Sequence, residues 1–341
     1  MKFFKYTGLL AVVFLFCGFV YSKPIVIKFA TLAPKGSTWM QLMDELAGEV
    51  FAQTDGEVKF KIYSGGVHGD EKDVVRKIRF GQLHSGGFTG VGLGIIAEHL
   101  RILDTPFLFN SEEEIDYIYK KFDSEFRDYL KSRGFILLGW AQVGFVYLFT
   151  NKPVREFKDL SGIKMWMWEG DPVAESTFSN LGVSAVSLSI TDVMTSLQTG
   201  LIEGVYGSPL SITALQWFTK VKYMFSLRVA NAGGAVLISE KKFNSIKPNH
   251  QKILLDISNK YFKKLTALSR RDDKKAVKVL KEEGILVTSP ASQKVIAKFK
   301  LAGAKTRIDL ADKLYPKSLL IRIEKALEDF RASKKNKNRN T

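Results

Sequence analysis

The chain of 341 residues contains a single cysteine, Cys17, which lies in a stretch that reads as a cleaved leader. Residues 23–341 therefore carry no thiol, and this excludes disulfides, cysteine-bound metals and thiol chemistry from that region. Histidine is also scarce. His68, His84, His99 and His250 are scattered without metal-ligand spacing, so no metal site is expected. There is no G-K-[ST] to make a P-loop and no G-x-S-x-G to make a nucleophile elbow. Ser239-Glu240-Lys241-Lys242 has the S-x-x-K spacing but no companion S-D-N or K-T-G, and Ser239 reads more simply as a helix N-cap. Without a nucleophile, an acid–base pair or a metal cluster, the pattern points to a binding protein and not to an enzyme.

Long apolar runs are almost as rare. Gly8 to Tyr21 is uncharged and mostly apolar, at about 14 residues against the roughly 20 that span a bilayer. Lys2 and Lys5 precede it, and Val20-Tyr21-Ser22 offers a cleavage site. This layout predicts a secretory signal peptide over residues 1–22, cut after Ser22, and export to the periplasm. Phe14-Leu15-Phe16 lacks the small residues that a lipid-attachment signal places before its cysteine.

Basic residues are in excess. The net charge is +16, or +14 once Lys2 and Lys5 are removed. Part of it sits in Arg331 to Thr341, which reads as a solvated, disordered basic tail. The remainder would steer the protein to an acidic membrane surface or partner. No nucleic-acid motif is present, and no nucleic-acid partner is expected.

Strand and helix patterns alternate. Ile25 to Ala30, Val58 to Tyr63, Phe135 to Trp140, Phe145 to Phe149 and Ile163 to Trp168 read as strands. Ser37 to Thr54, Asp70 to Phe80, a segment capped by Ser111, Pro172 to Leu181, Asp192 to Thr199, Leu254 to Lys278, and Lys294 to Arg331 with a break at Pro316 read as helices. This order predicts an α/β fold. Asp70, Glu71 and Asp73 open a helix and complement its dipole. Gly92-Leu93-Gly94-Ile95-Ile96-Ala97 matches the loosest dinucleotide fingerprint, but Ser85-Gly86-Gly87 before it reads as a poor strand, and no cofactor is expected. Lys164-Met165-Trp166-Met167-Trp168 sets two tryptophans on one strand face and two methionines on the other, as packing or as the wall of a pocket.

Ser196-Leu197-Gln198-Thr199-Gly200-Leu201-Ile202-Glu203-Gly204, a helix ending at glycine, resembles the A-L-Q-T-G-x-x-D-G segment of TRAP-transporter (tripartite ATP-independent periplasmic, DctP-like) solute-binding proteins. Phe29-Ala30-Thr31, Gly66 to Asp70, Asp159 to Lys164 and Lys241 to Leu255 resemble further landmarks of that family, in order along most of the chain. The resemblance implies a two-lobed periplasmic-binding-protein fold with crossing strands, a long connecting helix and a ligand cleft between the lobes. Lobe I would be residues 23–143 plus 232–272, and lobe II residues 144–231 plus 273–330, with crossings near Gly144 and Asn231. It also implies delivery of a small molecule to TRAP membrane permease subunits.

The chain departs from the family where the family grips carboxylates. Trp166 stands where relatives place an arginine, and Val146 falls near the position of a second. Val205 to Pro209 lacks the asparagine of the relatives' Q-E-N-P. A buried carboxylate without a paired cation costs several kcal/mol, whereas a tryptophan wall contributes about 4–6 kcal/mol gross through apolar area. The expected ligand is therefore uncharged or amphipathic with a sizeable apolar part. Expected contacts are Val146, Trp166, Ile190, Tyr206 and Gly207 from lobe II, and Leu32, Gly90 and Trp140 from lobe I. This resembles the apolar-cleft branch of the family that works with a periplasmic tetratricopeptide-repeat partner. The alternative from another class is a binding-protein fold used as a sensor or scaffold that presents ligand state to a periplasmic partner.

Overall fold

The computed structural model describes residues 23–337, so the leader expected over residues 1–22 lies outside the described residues. The chain opens with β1 (Ile25–Thr31), α1 (Thr38–Gln53), β2 (Val58–Tyr63), α2 (Glu71–Arg79), β3 (Ser85–Thr89) and α3 (Gly90–Ile96). A 3-10 segment, Glu98–Asp104, leads to α4 (Glu112–Ser132), whose N-cap is Ser111. Next come β4 (Phe135–Thr150), β5 (Met165–Trp168), α5 (Pro172–Leu181), β6 (Ala185–Leu188), α6 (Val193–Thr199), β7 (Gly204–Gly207), α7 (Pro209–Ala214) and β8 (Tyr223–Ser239). Then follow α8 (Glu240–Asn244), the 35-residue α9 (Pro248–Glu282), β9 (Leu286–Thr288), α10 (Gln293–Leu310) and α11 (Lys317–Lys337). As the patterning predicts, Ser239 caps α8 and Gly200 ends α6 in the left-handed region.

The strands form one mixed sheet in the order β2-β1-β3-β8-β4-β7-β5-β6, with β9 alongside β8. β1 pairs in parallel with β2 and β3, and β5 with β6 and β7, while β4 and β8 run antiparallel to each other. β4 and β8 serve both halves of the sheet, so Phe135–Trp140 and Phe145–Phe149 are parts of one strand and not two. A bulge interrupts their ladder between Gln142 and Gly144, and Phe145 then pairs with Asn231.

Alternation along the strands feeds a separate core on each side of the sheet. In β8, Ala235 and Leu237 pack with Phe122, Phe126 and Leu130 of α4, whereas Val236 and Ile238 pack with Leu46 of α1 and Phe262 of α9. In β5, Trp166 and Trp168 join one core and Met165 joins the opposite one, as the alternation of these residues implies. Ser85-Gly86-Gly87 forms part of a paired central strand, contrary to its reading as a poor one. A Cβ on Gly87 would lie 2.7 Å from the Trp39 ring, so the missing side chain is what admits the tryptophan.

The basic C-terminus also differs from expectation. α11 continues through Lys337, and Arg331 is not part of a disordered tail. Its guanidinium donates to Glu114 at 2.9 and 2.7 Å and to the Leu108 carbonyl at 2.9 Å, and Glu114 is buried. An arginine whose stem packs on the body while its head meets a buried carboxylate orders the helix that carries it. Truncation after Phe330 is expected to cost about 1–2 kcal/mol, a value discounted because Arg331 is 36% exposed. Truncation after Ser333 should leave stability unchanged. Chemical denaturation of both truncations checks this, and equal midpoints would contradict it.

Candidate functional site

Residues from both halves of the sheet converge on a cavity of about 190 Å³. β4 contributes Val146 and Leu148, β5 contributes Trp166 and Trp168, β7 contributes Tyr206, and β8 contributes Val229 to Gly233. One wall is aromatic. The Trp166 ring stacks on Tyr206 at 4.9 Å, meets Trp217 edge-on at 5.2 Å, and lies 5.6 Å from Trp168. Trp166 Nε1 donates to the Leu188 carbonyl at 3.0 Å, and the Trp168 amide donates to Tyr206 Oη at 3.3 Å. The indole nitrogens of Trp166 and Trp168 are occupied by the protein, which leaves their ring faces as surface.

The other end of the cavity is charged. Arg101, in the 3-10 segment after α3, is buried and donates from Nη1 to Asp104 Oδ2 at 2.9 Å and from Nη2 to Asp171. Asp171 also caps α5, accepting from the amides of Val173 at 2.9 Å and Ala174 at 3.3 Å. The two carboxylates hold the Arg101 guanidinium above its usual pKa against the cost of its burial. Burial and the neighbouring Asp171 push Asp104 up to about 7, against the pull of Arg101 and the Gly233 amide. Gly90 packs directly on this pair, and a Cβ there would collide with the Asp104 carboxylate and the Arg101 guanidinium.

Just outside the cavity, the start of α2 is tied to the far half of the sheet. Asp70 accepts from Trp168 Nε1 at 3.1 Å, Ser189 Oγ at 2.6 Å and the Ile190 amide at 3.2 Å, and Lys72 pairs with Glu169 at the surface. The neighbouring Glu71 turns inward and accepts from the Thr89 amide at 2.7 Å, Thr89 Oγ1 at 2.9 Å and the Gly92 amide at 2.7 Å. A strand, β3, does precede this segment, contrary to expectation, but Gly92-Leu93-Gly94 lies inside α3, whose N-terminal amide at Gly92 is taken by the protein's own Glu71 carboxylate. The acids at the start of α2 therefore do more than complement its dipole. One bridges the two halves and the other seals α3.

Of the expected contact residues, Gly90, Val146, Trp166, Ile190, Tyr206 and Gly207 all line this cavity. Leu32 does not. It packs against the aromatic core around Trp166 from the loop after β1. Trp140 is also elsewhere, because its position in β4 points it away from the cavity. Its Nε1 donates to Asp123 Oδ1 at 2.8 Å, and its ring meets Tyr119 and Phe126 beside a second groove between α4 and α9. Trp166 is 2% exposed and so belongs to the core as well as to the cavity wall. Sequence reasoning missed Arg101, Asp104 and Asp171. The available signals were an arginine and an aspartate embedded in the apolar stretch Leu100 to Phe109, and Asp171-Pro172 at a helix start.

Among the described residues, no group of three or more metal-ligating side chains is present, and no helix is long and apolar enough to cross a membrane.

Three carboxyl groups, the buried Glu71 and the partly buried Asp104 and Asp273, are each pushed up to about 7, chiefly by desolvation. In the unfolded chain such groups titrate near 4. The folded state therefore binds protons more tightly, and the stabilisation this provides is full below about pH 4 and lost as pH rises through 7. Burial holds His68, His84 and His99 low, which works in the opposite direction but is spent above about pH 6.5. The thermal midpoint is expected to fall between pH 6.5 and 8. Calorimetry across that range checks this, and a rising midpoint would contradict it.

The model of the family described as bacterial extracellular solute-binding protein, family 7 (DctP), matches residues 29–306. A solute-binding protein of Verminephrobacter eiseniae is 27% identical over 249 residues, covering 72% of this chain and 73% of its own length. The 2,3-diketo-L-gulonate-binding periplasmic protein YiaO of Escherichia coli is 24% identical over 256 residues, covering 72% of this chain and 75% of its own. A solved TRAP periplasmic solute-binding protein of Ralstonia eutropha, with bound (S)-2-acetolactate, matches with a TM-score of 0.83 at 20% identity, over 89% of this chain and 99% of that one. The mixed sheet, the two strands shared by its halves, the cavity between those halves and the span of the family match agree, and the chain belongs to the DctP family of TRAP-type solute-binding proteins, which are receptors and not enzymes.

Proposed function

We propose that this chain is the periplasmic receptor of a TRAP-type transporter, and that its cleft captures a small ligand with a sizeable apolar part in place of a hydrophilic acid. The observation that carries this is the state of the one arginine in the lining. Arg101 is the only cation among the described residues that line the cavity, and it already pairs with two aspartates. A ligand carboxylate there would be a third negative group against one guanidinium. The remaining wall, from Val146 and Leu148 across Trp166, Tyr206 and Phe178, offers apolar and aromatic area. The relative named for 2,3-diketo-L-gulonate and the neighbour holding acetolactate bind acids. This chain differs by having Trp166 and Val146 where the family resemblance places arginines.

In this reading the leader is cut after Ser22 and the receptor delivers its ligand to TRAP permease subunits. A tetratricopeptide-repeat periplasmic protein is a further partner, which co-purification from cells tests. The ligand itself is best identified by mass spectrometry of small molecules extracted from protein purified from its native cells. An amphipathic molecule is expected, and recovery of a sugar acid or a short dicarboxylate would overturn the reading. Val146→Phe, which projects a ring into the cavity from β4, should abolish recovery of that molecule. The thermal midpoint should stay within a few degrees, since Val146 is only half-buried.

A further inference from the structure

The charged end of the cavity is unbalanced. Arg101 and Asp104 come from the 3-10 segment of one half, and Asp171 comes from the start of α5 in the other. Bringing the halves together places one guanidinium against two carboxylates at the cavity wall, with side-chain exposures of 5% for Arg101, 14% for Asp104 and 5% for Asp171. Asp171 spends Oδ1 on Arg101 and the α5 amides, and Asp104 spends Oδ2 on Arg101; both line the cavity, and Asp104 is the more exposed of the two. Its neighbours from the other packed elements supply no further positive charge. They are Tyr119 of α4 and the Gly233 amide of β8, while Asn231 of β8 bonds Tyr119 and Tyr206 of β7 lies beside Arg101 and Asp171.

We propose that the ligand is an amphipathic amine, whose protonated nitrogen meets Asp104 while its apolar body lies against the Trp166–Tyr206 wall. This rests on the apolar-cleft reading above and narrows it to one class of head group. An ammonium brings the charge that closure of the halves otherwise lacks, and its N–H groups donate to the edge of Asp104 that lines the cavity. A ligand that neutralises a charge buried only in the closed arrangement binds that arrangement better, and so drives closure. The upward push on the Asp104 pKa agrees with the geometry, since the site favours either a proton on that carboxyl or a cation beside it.

The test uses three probes of equal length, hexylamine, hexanol and hexanoate, titrated against the full chain by calorimetry at pH 8. Hexylamine is expected to bind roughly tenfold or more tightly than hexanol, as suits a hydrogen bond to a charged group, with hexanoate the weakest. Asp104→Asn should bring hexylamine to within about twofold of hexanol while hexanol binding is retained. The wild-type preference for hexylamine over hexanol should also shrink between pH 8 and 5.5, as Asp104 takes up a proton. That measurement stands even if the variant folds poorly. Hexanoate binding as tightly as hexylamine, or an amine preference that survives both Asp104→Asn and acidification, overturns the proposal and leaves the apolar-cleft reading intact. Failure of all three probes, hexanol included, overturns the apolar-cleft reading itself.

Discussion

Arg101→Met is expected to lower the unfolding free energy by about 3–5 kcal/mol, the range for removing one partner of a buried ion pair, and the thermal midpoint by on the order of 10 °C. The loss does not come from the size of the side chain, since methionine nearly matches the arginine stem. It comes from Asp104 and Asp171, which would remain buried with no cation against them. Asp104 would then resist ionisation more strongly, and its folded-state pKa would rise further. The deficit should therefore grow as pH increases from 6 to 8, because stability tied to a raised carboxyl pKa is lost as pH climbs through it. Adding Asp104→Asn to Arg101→Met should recover part of the loss, since the amide removes one of the two uncompensated charges. A single variant within 1 kcal/mol of the parent, or a deficit that shrinks with pH, would show that the three side chains do not act as a buried charged cluster.

The second large effect is at Trp166. Trp166→Ala should cost about 3–5 kcal/mol, the usual range for deleting a large aromatic side chain from a core, because Trp166 is 2% exposed and packs on Trp168, Tyr206 and Trp217. The same change removes the flat wall of the cavity, so ligand affinity and stability should fall together. The two roles separate in Trp166→Phe, which keeps a ring against Tyr206 but loses the hydrogen bond from Nε1 to Leu188. That variant should lose about 1–2 kcal/mol of stability and keep most of its ligand affinity. Trp166→Arg should fail to fold, because a guanidinium there would lie in an aromatic core with no carboxylate among its ring neighbours. Full stability in Trp166→Ala would mean that the indole is wall alone, and unchanged affinity in a folded Trp166→Ala would mean that it is core alone.

Local patterns carried much of the architecture. The order of strands and helices, the N-caps Ser37, Asp70 and Ser111, the start of α5 at Pro172 and the break at Pro316 follow from hydrophobic periodicity and capping chemistry. These are nearest-neighbour effects, and a sequence displays them directly. The alternation of Trp166 and Trp168 against Met165 was visible for the same reason. The glycines of β3 misled that reading because a glycine says nothing of what approaches it from elsewhere in the chain, here Trp39. Arg331 misled it too, since its partner Glu114 lies more than two hundred residues earlier.

At the site, six of the eight expected residues meet at one cavity because a resemblance in order along the chain carries their alignment with it. Trp140 lies elsewhere because alternation along β4, shifted by its bulge, decides which face a residue takes, and a bulge leaves little trace in the residues. The amino-acid order alone therefore determined the α/β layout, the absence of thiols from residues 23–341 and the resemblance to the binding-protein family. Only the tertiary structure decided that Arg101 is already neutralised, that Asp104 faces the cavity, and that Trp166 is core and wall at once. Charge balance in a buried site depends on which side chains meet across long chain separations, and that is settled when the two halves of the sheet pack together.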